Sequence, residues 1–170
     1  CEENTGDGAG ILTALPDKFL RKVAQAELSV ELPPLGAYGA GVIYLPKDAT
    51  ARNEFKQIVE SIIAGQGQRL IGWRKVPQQP EAANIGPSAV HCEPWMETLL
   101  IAGADGLDRD TLERQLFIIR KLASHQIRGG KHPLGLEFYG CSLSTKVMIY
   151  KGMLTPDQVL TYFPDLADED

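Results

Sequence analysis

The stretch AYGAGVIYLP, residues 37–46, decides the fold. It is an apolar, glycine-containing run of the buried-strand type, and Pro46 ends it. Asp48 stands where it can cap a following helix. Phe55, Ile58, Val59, Ile62 and Ile63 then fall on one helical stripe, closed by Gly65 and Gly67. RLIGWRKV (69–76) predicts a strand, stopped by the loop PQQPEAANIGPS, and METLLIAG (96–103) predicts another. ADGLDRD turns into a long helix over 110–127. Asp110 and Glu113 are spaced as its capping box, and Leu112, Leu116, Ile119 and Ala123 form its buried stripe. LEFYGCSL (136–143) and KVMIYKG (146–152) read as a hairpin about Ser144–Thr145. The order β-α-β-β-α-β is that of a ferredoxin-like sandwich: one mostly antiparallel sheet with two helices on one face.

Outward from this unit, GILTAL (10–15) reads as a strand. Pro16 and DKFLRKVAQA read as a helix, and ELPPLG (31–36) as a proline-rich connector. At the other end Thr155, Pro156 and Gln158 start a helix that runs to about Tyr162, and Asp165–Asp170 reads as a solvated acidic tail or linker. The 170 residues are 44% hydrophobic and 23% charged, the composition of a soluble globular domain with a real core. A net charge of −5 argues against a nucleic-acid partner. No apolar run approaches the roughly 20 residues a membrane span requires. The three cysteines, Cys1, Cys92 and Cys141, are widely spaced. No CxxC pair signals zinc or an iron–sulfur cluster within the segment, and a disulfide framework is disfavoured, which suits a reducing compartment.

Few residues offer chemistry. Cys1 reads either as an N-terminal nucleophile whose α-amine serves as base, or as a chain boundary. TGDGAG (5–10) is glycine-rich like a phosphate cradle but lacks the Lys and Ser/Thr of one; the competing reading is a tight turn into a strand, with small residues for close backbone approach. His91–Cys92 could be a ligand or thiol pair, although neighbours on a strand point to opposite faces. His125 suits a helix C-terminus, and His132 precedes a proline in a loop. Trp73–Arg74–Lys75 reads as an anion-binding edge or as a solvated sheet face with Trp73 buried on the other side. Lys146 and Lys151 take the same reading. No spacing pairs two carboxylates for acid–base work. By themselves these residues describe a soluble α+β domain without a visible active site.

A resemblance adds to this. TGDGAGILTALPDKF, AGVIYLP, GWRKVP with GPSA and EP, RQLFIIRK, and FYGCSLSTKVMIYKGMLTPDQ with YFPDL together resemble glutamate synthase, in its N-terminal class II glutamine amidotransferase domain, from about Thr5 to Leu166. The resemblance implies a parent that hydrolyses glutamine and passes ammonia to 2-oxoglutarate, giving glutamate and so assimilating ammonia. It also implies FMN and a 3Fe–4S cluster in that parent, with NAD(P)H or ferredoxin as electron donor, and a bacterial cytoplasmic or plastid stromal location. The implied fold is α+β: part of an N-terminal-nucleophile (Ntn hydrolase) αββα sandwich carrying a ferredoxin-like βαββαβ insertion.

Residue by residue, the resemblance carries over no catalytic, cofactor-binding or metal-binding position. The family nucleophile begins a Cys-Gly stretch well before TGDGAG, so Cys1 matches a non-catalytic position. The strand and loop that hold glutamine follow YFPDL. The expected division is a sandwich strand at 1–14, a helix and connector at 15–36, the insertion at 37–152, and a helix with acidic connector at 153–170. The expected partners are the remaining amidotransferase strands and the synthase domains, with no nucleic acid and no membrane. The implied fragment is itself inactive. The competing readings are a stand-alone ferredoxin-like small-molecule-binding module and a Cys1-dependent amidohydrolase.

Overall fold

The computed structural model describes residues 4–168. Its centre is a four-stranded antiparallel sheet of β2 (Tyr38–Leu45), β3 (Arg69–Lys75), β4 (Trp95–Ala102) and the two-residue β5 (Tyr139–Gly140), in the order β3-β4-β2-β5. With α2 (Ala49–Gly65) between β2 and β3, and α4 (Arg109–Arg128) between β4 and β5, this is the expected β-α-β-β-α-β order.

β2 and β4 are apolar throughout because both faces of the sheet are covered. Ile43, Leu45, Leu99 and Ile101 face Phe55, Val59 and Ile63 of α2 and Leu112, Leu116 and Ile119 of α4. Ala40, Val42, Met96 and Leu100 face a second cluster with Phe19, Leu20, Met148, Tyr150 and Phe163. These come from α1 (Asp17–Val23, prolonged by a π-helical turn at Ala24–Leu28), from β6 (Val147–Gly152) and from the C-terminal turns around α5 (Val159–Tyr162). Asp48 caps α2 as expected, its Oδ1 accepting from Ala51 N at 2.8 Å.

Four expectations are corrected. The cap of α4 is Asp108, which accepts from Thr111 N at 3.0 Å; Asp110 lies inside the helix and pairs with Lys146, and Glu113 turns to Ser144 and Thr145. Residues 136–143 and 146–152 do not form a hairpin. β6 pairs instead with β1 (Ala9–Ala14) in a separate antiparallel ribbon, from Ala9↔Gly152 to Ala14↔Val147. Ser-Thr supplies no positive-φ turn, and side-chain hydroxyls take the β6 amides that a hairpin would have paired. The loop after β3 contains a short helix, α3 (Pro87–Cys92), started by Pro87 at its first position. Finally, Asp165 is not part of a solvated tail: its side chain is 4% exposed and ion-paired; Glu169 and Asp170 lie outside the described residues.

Candidate functional site

The two most distinctive stretches of sequence pack on each other. A Cβ on Gly6 of TGDGAG would lie 2.1 Å from Leu154 O and 2.6 Å from Thr155 N, so only glycine lets that turn reach the chain leaving β6. β1 then runs the length of β6. TGDGAG therefore serves close backbone approach. Gln158 Oε1 accepts from Thr155 N at 2.9 Å, the expected capping contact at the next helix start.

Serines 142 and 144 set what this ribbon can do. Leu15 N bonds Lys146 O at 2.8 Å, which fixes the alternation of the ribbon's hydrogen bonds. The amides of Ala9, Ile11 and Thr13 face β6, and those of Gly10, Leu12 and Ala14 face outward. On β6 the amides of Val147 and Ile149 turn away from β1. Ser144 Oγ accepts from Val147 N at 3.2 Å and from Lys146 N at 2.9 Å, and Ser142 Oγ accepts from Ile149 N at 3.2 Å. The outward amides of Val147 and Ile149 on the β6 edge are thus taken by hydroxyls. Ser144 Oγ in turn donates to Glu113 Oε1 at 2.6 Å, and Thr145 donates to Glu113 Oε2 through both N (2.7 Å) and Oγ1 (2.6 Å). Burial works against the Glu113 charge, but these donors outweigh it and hold its carboxyl below the usual range.

The opposite edge, β1, has no strand beside it among the described residues. AGILTA carries no charge, no proline and no bulge, the devices that usually protect an edge. Leu12, 63% exposed, sits across from Ile149, which with Val147, Phe117 and Ile118 lines a 540 Å³ groove between the ribbon and α4. The edge and the groove are the apolar surfaces that the ribbon leaves uncovered among the described residues.

The residues singled out from the sequence scatter around it. Cys1 lies outside the described residues. Arg74 is neither solvated nor an anion site: it is 4% exposed, and its fork grips Asp165 at 2.7 and 3.0 Å while Nε bonds Glu27 at 2.9 Å. Trp73 points to the helix side, and its Nε1 donates to Glu60 at 2.9 Å. Lys75 donates to Gln78 and lies over the Trp95 ring. His125 is exposed in the last turn of α4. His132 packs edge-on against Phe55, with Glu54 3.7 Å from its Nε2. His91 and Cys92 sit on α3 rather than on a strand, and they border the same large cleft as Lys151. Burial pushes the Cys141 thiol up to about 11, so it stays protonated and unreactive near neutrality. Among the described residues no group of three or more His, Cys, Asp or Glu could hold a metal ion, so Cys92 and Cys141 do not fit a 3Fe–4S cluster. No helix among them is long and apolar enough to cross a membrane.

Sequence reasoning missed the serine caps and the Arg74–Asp165 pair. The regular spacing of Ser142 and Ser144 was the available signal for the first; nothing in the local sequence signals the second.

Comparison with known proteins gives a consistent result. The class-II glutamine amidotransferase family profile matches residues 1–170. The NADPH glutamate synthase large chain of Bacillus subtilis (strain 168) is 36% identical over 99% of this chain and 10% of its own length. Ferredoxin-dependent glutamate synthase 1, chloroplastic/mitochondrial, of Arabidopsis thaliana is 32% identical over 99% and 10%. The NADH glutamate synthase of Saccharomyces cerevisiae (strain ATCC 204508 / S288c) is 34% identical over 98% and 8%. The chain spans about a tenth of the length of these curated relatives.

Proposed function

The chain belongs to the class-II glutamine amidotransferases, and we propose that it is a non-catalytic segment of a glutamate synthase that braces the glutamine-hydrolysing domain. In this reading the parent hydrolyses glutamine and transfers the ammonia to 2-oxoglutarate to yield glutamate. FMN and a 3Fe–4S cluster, reduced by NAD(P)H or ferredoxin, act in other parts of that parent, in a bacterial cytoplasm or a plastid stroma. The segment supplies no catalytic residue and hydrolyses no glutamine alone. Residues 9–14 are a strand of the amidotransferase sandwich; because β6 pairs with them, residues 147–152 go with that sandwich and not with the insertion expected at 37–152, which is cut back to the four-stranded unit.

The observation that carries this reading is the asymmetry of the β1–β6 ribbon. On its β6 edge Ser144 and Ser142 take the amides of Val147 and Ile149, while its β1 edge is uncharged and has no strand beside it among the described residues. An edge left so bare is one that another strand covers. The partners are the remaining amidotransferase strands, with the synthase domains beyond them.

Leu12→Lys tests it. In a full-length glutamate synthase carrying this segment, the charge falls in a packed interface and glutaminase activity collapses. In this chain alone Leu12 is exposed and the stability of the variant changes by less than about 0.5 kcal/mol. A full-length enzyme indifferent to Leu12→Lys sinks the proposal. So does glutamine hydrolysis by the chain alone that disappears with Cys1→Ala.

A further inference from the structure

The ribbon edge leaves a second, larger cleft unexplained. This cleft, of 890 Å³, opens between α3, the turn at 134–137 and the end of β6. It lies within the roughly 300–1,000 Å³ of small-molecule sites. Its charged lining is balanced: Lys47, Arg128 and Lys151 against Asp48, Glu93 and Glu137.

These groups are not equivalent. Asp48 is committed to capping α2, and Arg128 to the carbonyls of Leu136 and Phe138 at 2.8 and 2.9 Å. Glu93 is held in place through Oε1, which accepts from Tyr162 Oη at 2.6 Å and Gln78 Nε2 at 3.1 Å. Its Oε2 has Lys47 Nζ at 3.9 Å, beyond hydrogen-bond length. Lys151 donates to Tyr139 Oη at 2.9 Å and lies 4.5 Å from that ring's centre; among the described residues it has no carboxylate at ion-pair distance. Ile85, Ala89, Met96 and Leu154 give the same cleft apolar lining.

A fixed carboxylate, an ammonium whose partner among the described residues is a phenol, and an apolar wall suit a ligand that is neutral overall yet carries both charges. A simple anion on Lys151 would leave Glu93 to the distant Lys47 alone, and a simple cation on Glu93 would leave Lys151 to its phenol. We propose that the cleft binds a free α-amino acid, with its carboxylate on Lys151, its ammonium on Glu93 and its side chain on the apolar wall. This site uses none of the β1 residues on which the strand-docking reading rests, so the two fail separately.

The test is a heteronuclear NMR titration of the intact chain with glutamine, leucine and phenylalanine, each also as its N-acetyl and its carboxamide derivative. At least one free amino acid gives saturable shifts at Ala89, Glu93, Tyr139 and Lys151. Blocking either charged group of that ligand weakens binding about tenfold or more, as expected for one lost charge-assisted contact. Lys151→Met and Glu93→Gln each do the same. The ligand derivatives leave the protein untouched, so a misfolded variant cannot mimic the result. Absence of saturable shifts up to about 20 mM ligand, shifts that map elsewhere, or equal binding of blocked and free amino acids overturns the proposal.

Discussion

Asp165→Ala removes one half of the most deeply buried ion pair in the described structure. The side chains of Arg74 and Asp165 are each 4% exposed. The guanidinium makes two bonds to Asp165, at 2.7 and 3.0 Å, and one to Glu27 at 2.9 Å, while Tyr150 Oη donates to Asp165 at 3.1 Å. Burial works to strip the Arg74 proton, but Asp165 and Glu27 prevail and hold its pKa above the usual value; with Asp165 lost the cation still persists, because a guanidinium does not deprotonate in proteins. Orphaning a buried charge costs about 3–5 kcal/mol. Glu27 still gives one charge-assisted bond, worth roughly 1.5–3 kcal/mol, which places the expected loss at the lower end, near 3 kcal/mol. For a chain of this size that lowers Tm by about 6–12 °C. Urea unfolding followed by circular dichroism and by tryptophan fluorescence reads it directly. The double variant Arg74→Met/Asp165→Leu regains most of the loss, because replacing a whole buried pair by apolar groups is often neutral. A loss under about 1 kcal/mol for Asp165→Ala, or a double variant as unstable as the single one, refutes this reasoning.

Other outcomes follow from the same geometry. The folded pKa of Glu113 lies below its unfolded value, so its stabilisation is full above the ordinary value of 4.5 and is lost as pH falls through the lower folded value. Glu113→Gln is therefore less stable than wild type at neutral pH but loses less on acidification, which urea midpoints at stepped pH will show. Gly41→Ala would put a Cβ 1.8 Å from Ser142 O, a backbone atom that cannot swing aside, and costs about 1–3 kcal/mol or more in the same unfolding assay. Gly65→Ala, at the end of α2 with nothing within 4 Å of the new Cβ, is the matched control and gains about 0.5–1 kcal/mol.

The βαββαβ unit was legible because its signals are local. The apolar run at 38–45, the cap at Asp48 and the stripes of α2 and α4 each need only their neighbours in sequence. What was not legible depends on distant partners. β6 has a strand's composition, but nothing within it says that it pairs with β1, far away along the chain, in a register that runs from Ala9↔Gly152 to Ala14↔Val147. The serines that block the expected hairpin act through side chains. Arg74 looked solvated because Glu27 and Asp165, which neutralise it, lie 47 and 91 residues away. The candidate surface was visible only as the paired motifs TGDGAG and YKGML; that they pack on each other required coordinates.

The central claim is that the β1 edge is completed by another strand in a longer protein. Hydrogen exchange at the amides of Gly10, Leu12 and Ala14 tests it most directly, measured in this chain alone and in a full-length glutamate synthase containing it. The account predicts fast exchange in the chain alone and strong protection in the full-length enzyme, with Ile11 and Thr13 protected in both. Equally fast exchange of Gly10, Leu12 and Ala14 in the two proteins contradicts it.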